Sequence, residues 1–270
     1  MTTGRRALAV TVLALGLAAA GCNVGAATSA APTVQASAQS LEVTPPSLEP
    51  TTPPEPTPIP IWTGCDSPSQ PCEFTAGTYQ TYGRWAFLPG LTMSIPDGWK
   101  SAEQDAGEFN LINPDFPEGS GLFFWRDVIP VEPDGTHIAT VPSTVAGITD
   151  WLRANPQLVL TDPVEKVIGK GLATTTFVVE VAKGAVNNDA GCATVQATCF
   201  PILTDPAHWG GGWTVASFES SRYYLATIGP VTNRHLLVVA LVTRTPDRLR
   251  FENAVAPILD SLDVSNVTFN

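Results

Sequence analysis

Three regimes of hydrophobic patterning succeed one another along the chain. Residues 7–20 are an uncharged run dominated by Ala, Leu and Val. Residues 23–61 turn to Ala, Ser, Thr, Pro and Glu with no apolar period. From Trp62 onward, short apolar runs alternate with turn signals, as strands do in a folded domain. This pattern predicts strands near Thr78–Arg84, Leu91–Ile95, Glu108–Asn113 and Gly121–Ile129, the last holding the dense Leu122-Phe123-Phe124-Trp125 run. It predicts further strands near Val164–Ile168, Leu172–Val181, Trp213–Phe218, Tyr223–Ile228 and His235–Thr243, with a long loop between Val181 and Trp213. The segment Leu236 to Val242 shows no alternation, so it is expected to be a central strand covered on both faces.

Helical spacing appears twice. Val145, Ile148 and Leu152 recur at i, i+3 and i+7, with Ser143 as the expected N-cap and Asn155-Pro156 as the stop. Phe251, Val255, Ile258, Leu259 and Leu262 line one face of a second helix, predicted from Pro246 to Ser261 with Thr245 as its cap. Pro257 falls inside that helix. Two helices among these strands predict an α+β domain over residues 62–270, with a single antiparallel sheet and both helices packed on it.

The first apolar run is too short to span a bilayer as a helix, which takes roughly 20 apolar residues. Arg5 and Arg6 precede it and Ala19-Ala20-Gly21 follow, which makes residues 1–21 a three-part export signal. This order, ending at Cys22, resembles the bacterial lipobox, where the signal is cut before a cysteine that carries diacylglycerol. The resemblance implies a lipid on Cys22, and ordinary secretion after Ala18–Ala20 is the alternative. Four of the five cysteines form pairs with six residues between their members, Cys65 with Cys72 and Cys192 with Cys199. In an exported protein such pairs read as two local disulfides, leaving Cys22 as the odd cysteine. A zinc site is the competing reading, but zinc ligand pairs commonly have about two to four residues between them.

Eight of the twenty residues from Leu41 to Pro60 are proline. Such a segment cannot bury enough apolar surface to offset the entropy of ordering it. Residues 22–61 therefore read as a disordered tether, reaching about 120 Å if fully stretched. The net charge of −11 becomes −13 once Arg5 and Arg6 leave with the signal. A surface that acidic repels phosphate backbones, which argues against nucleic acid as a partner.

The passage Leu91-Thr92-Met93-Ser94-Ile95-Pro96-Asp97-Gly98-Trp99 resembles the opening of PsbP-like domains, where a strand ending in Pro-x-Gly-Trp leads into a β-hairpin. The resemblance covers roughly residues 78–262. It implies binding or assembly-accessory roles more often than catalysis, and a fold also found in some lipid-anchored envelope proteins.

No G-x-S-x-G elbow occurs; Gly119-Ser120-Gly121 is the nearest approach and reads as a turn. The three histidines, His137, His208 and His235, are not paired at metal-ligand spacing. Gly210-Gly211-Gly212 lacks the lysine of a phosphate-binding loop. Its flanks, His208, Trp209 and Trp213, place polar and aromatic groups where they could stack on a sugar or an apolar group. The alternative for Trp213 is a core plug at the start of a strand. The sequence thus points to a non-enzymatic domain that binds an envelope protein, a small molecule or a glycan through its sheet face and residues 183–213. It calls for no metal and no cofactor, and its membrane contact runs through the N-terminal lipid. A secreted envelope hydrolase with a dispersed active site is the alternative.

Overall fold

A strand flanked by covered faces has to be apolar at every position, and the segment His235–Val242 is buried throughout. The computed structural model describes residues 57–61, 72–82, 87–101, 107–132, 138, 140–186, 197–204, 212–229 and 234–269, all within the unit Pro53–Asn270. Cys22, most of the tether, Cys65, Cys192, His208 and Trp209 lie outside the described residues.

In chain order the elements begin with β1 (Ile59–Ile61), β2 (Cys72–Glu73), β3 (Gly77–Thr81), β4 (Thr92–Ile95) and β5 (Lys100–Ser101). Next come β6 (Glu108–Ile112), β7 (Gly121–Arg126), β8 (Ile129–Pro130), helix α1 (Val145–Ala154) and β9 (Leu158–Leu160). They continue with β10 (Val164–Ile168), β11 (Leu172–Val181), β12 (Cys199–Thr204), β13 (Gly212–Ala216), β14 (Ser220–Thr227) and β15 (His235–Val242). A 3₁₀ turn over Thr245–Asp247 then leads into helix α2 (Arg248–Ser261).

The expectation of one antiparallel sheet is corrected. The strands form three sheets: a nine-stranded one in the order β10-β11-β14-β15-β7-β6-β5-β2 with β9 also on β11, and two three-stranded ones, β1-β3-β4 and β13-β12-β8. The β1–β3 pair is parallel, so the pairing is mixed, and β1 draws the last three residues of the expected tether into a sheet. The physical reason lies in β15. Its residues Leu236, Val238, Ala240 and Val242 enter one core and Leu237, Val239 and Leu241 enter another, so each face of the large sheet needs a cover. Phe251, Val255, Ile258 and Leu259 of α2, with Tyr79, Met93 and Ile95 of the first small sheet, cover one face. Ile148 and Leu152 of α1, with Phe200, Ile202 and Val215 of the other small sheet, cover the opposite face. Burying each such side chain contributes roughly 1.5–3 kcal/mol.

Thr144, not Ser143, caps α1, its hydroxyl accepting from the Gly147 N–H at 3.1 Å. Pro246 lies in the 3₁₀ turn, so α2 begins two residues later than expected and runs on through Pro257.

The two-bridge reading of the cysteines has only one member of each expected pair within the described residues. Cys72 opens β2 and Cys199 opens β12, and both are oxidised. Cys65 and Cys192 lie outside the described residues, and no disulfide bond with both of its cysteines is present among the described ones. Sequence spacing permits two sulfurs to meet; only the Cα separation and side-chain direction decide a bond. Among the described residues no helix is long and apolar enough to cross a membrane.

Candidate functional site

Side chains on a strand alternate between faces, so Thr174, Thr176 and Val178 of β11 share the face that α2 covers. Thr176 pairs directly with Val164 of β10 and with Tyr224 of β14. Lys166 of β10 stands opposite Thr174, and Arg222 of β14 opposite Val178. Near β10 the helix presents Glu252, Asn253, Ala256, Leu259 and Asp260. A cleft of about 330 Å³ remains between sheet and helix there.

The sheet wall of this cleft carries Lys166, Thr176, Arg222 and Tyr224. Arg222 Nε donates to Glu252 Oε1 at 3.0 Å, and Arg248 Nε lies 3.7 Å from the same oxygen. Arg248 also donates to Glu180 at 3.2 Å and to Ser220 at 3.0 Å, which fixes the mouth of the network. The Lys166 ammonium lies 5.8 Å from the centre of the Tyr224 ring. Burial pushes the Tyr224 hydroxyl up to about 12; Arg222 opposes the shift, and Glu252 and Asp260 add to it. The phenol is thus a hydrogen-bonding group here and not a base. Thr176 is 7% exposed, and its hydroxyl has no hydrogen-bond partner among the described residues. Leaving a buried hydroxyl unpaired costs about 1–3 kcal/mol, and Thr176 is one of the residues that line the cleft.

The turn between β10 and β11 is fastened to the chain just past the end of α2. Lys170 N–H donates to the Leu262 carbonyl at 2.8 Å, and Lys170 Nζ lies 3.4 Å from Asp263 Oδ2. Gly169 makes this approach possible: its φ is +54°, and a Cβ there would fall 1.9 Å from the Leu262 oxygen.

Among the residues singled out from sequence, Trp213 is described. Its indole N–H donates to the Tyr223 hydroxyl at 2.8 Å, and its ring lies 4.4 Å from Trp125 and 5.2 Å from Phe123, centre to centre. It is half-buried against the second core, on the face opposite the cleft. His235 is fully buried, with Nε2 2.9 Å from the Val128 carbonyl. No group of three or more His, Cys, Asp or Glu side chains is placed to hold a metal among the described residues.

Sequence reading missed the cleft. Its signal was the run Thr174-Thr175-Thr176, consecutive polar positions ahead of the buried apolar run Phe177-Val178-Val179 in the same strand. No family model and no curated protein matches the chain.

Proposed function

We propose that this protein is a lipid-anchored binding protein of the bacterial cell envelope. Cys22 holds it to the outer face of the cytoplasmic membrane, the Pro-rich segment raises the folded domain, and the cleft beneath α2 takes a small polar ligand. The export signal and lipobox-like residues support the location. The Pro-x-Gly-Trp passage supports a binding or accessory role over catalysis. The observation that carries the binding role is Thr176, which lines the charged cleft and whose buried hydroxyl has no hydrogen-bond partner among the described residues. A buried hydroxyl left without a protein partner is a point where a bound molecule can supply the missing hydrogen bond.

Native mass spectrometry after fractionating the native host's envelope tests both halves. The wild-type chain is expected in the membrane fraction with a reproducible small-molecule mass beyond that of its lipid. Cys22→Ala is expected in the soluble fraction, still carrying that small mass. Membrane retention of Cys22→Ala would overturn the anchor, and a chain free of any added small mass would overturn the binding role.

A further inference from the structure

We propose that the ligand is a small zwitterion, a molecule with one ammonium and one carboxylate such as an amino acid or a dipeptide; this rests on the cleft being the binding site. Four charged side chains line the cleft. Arg222 and Glu252 compensate each other at 3.0 Å. That leaves Lys166 on the sheet wall and Asp260 on the helix wall, and neither forms an ion pair among the described residues.

A ligand with one charge would satisfy one of these groups while bringing a like charge toward the other, which disfavours binding. A zwitterion satisfies both, its carboxylate at Lys166 and its ammonium at Asp260. Thr176 stands on the strand next to Lys166, and its hydroxyl can donate to a carboxylate or accept from an N–H. The volume of about 330 Å³ lies at the lower end of small-molecule sites, which suits one or two amino-acid residues. Ala256 and Leu259 supply the apolar contact for a short side chain.

Isothermal titration of the full chain in detergent with alanyl-alanine, its N-acetyl form and its C-terminal amide tests the assignment. Alanyl-alanine is expected to bind, with each blocked form at least tenfold weaker. Lys166→Met should abolish the discrimination against the amide, and Asp260→Asn that against the N-acetyl form. Both positions are exposed, so neither variant threatens the fold. Equal binding of the three compounds, or binding by none, overturns the zwitterion. If none binds while a native small molecule still accompanies the protein from its host, the ligand class fails and the cleft reading stands. If that molecule is missing too, both fail.

Discussion

Glu219 lies in the tight connection between β13 and β14, where its carboxylate accepts the Ala216 N–H at 3.0 Å. Burial pushes its carboxyl up to about 7, and the Ala216 hydrogen bond offsets only part of that. A carboxyl whose pKa is raised on folding stabilises the protein fully below its unfolded value of 4.5 and loses that contribution as pH rises through about 7. A shift of this size corresponds to about 3 kcal/mol, so the protein should be more stable at pH 5 than at pH 8. Glu219→Gln retains an acceptor for Ala216 and removes the titration. Urea melts across that range should show its stability nearly flat with pH at this site, whereas the wild type declines. The buried Tyr223 beside it is pushed up further, by its own burial first and with Glu219 adding to the shift.

Among the elements, the β10–β11 hairpin lines the cleft, and its turn is fastened to the chain just past the end of α2. Gly169→Ala would drive a methyl into the Leu262 carbonyl at a backbone angle alanine disfavours. The expected loss is about 2 kcal/mol by denaturant melt, and it should weaken ligand binding as well, since Lys170 would lose its hold on Leu262 and Asp263. Elements of this kind were readable in the sequence: β10 and β11 fall at the residues their apolar patterns predicted, and so does the body of each helix. Strand β12 was not readable. Its Pro201 looks like a strand breaker, yet the register shifts between Pro201 and Leu203, which accommodates a residue with no N–H to donate. The shortest strands, such as β5 and β9, offer too few residues for any period to show.

For the whole molecule, periodicity revealed that Leu236 to Val242 is covered on both faces but not what covers it. Pairing is a long-range property. Nothing local in Ile59–Ile61 shows that it lies parallel to Tyr79–Thr81, or that Cys199–Thr204 builds a separate sheet over Phe177 and Tyr223. The two cores and the cleft at the margin of one of them follow from that layering. The cleft exists because α2 covers the centre of the large sheet and leaves its β10 end to polar side chains. Thr174 and Thr176 were visible as polar positions ahead of an apolar run, but their meaning depends on Lys166 and Asp260, which only the tertiary arrangement brings alongside.

The central claim is that Thr176 holds an unpartnered hydroxyl for a ligand, and equilibrium denaturation of Thr176→Val in ligand-free protein tests it most directly. Valine keeps the shape and removes the buried hydroxyl, so the variant is predicted to be more stable than wild type by about 1 kcal/mol. A loss of stability of that size would mean that the hydroxyl is satisfied within the protein, and the cleft would then lack the group on which its reading as a ligand site depends.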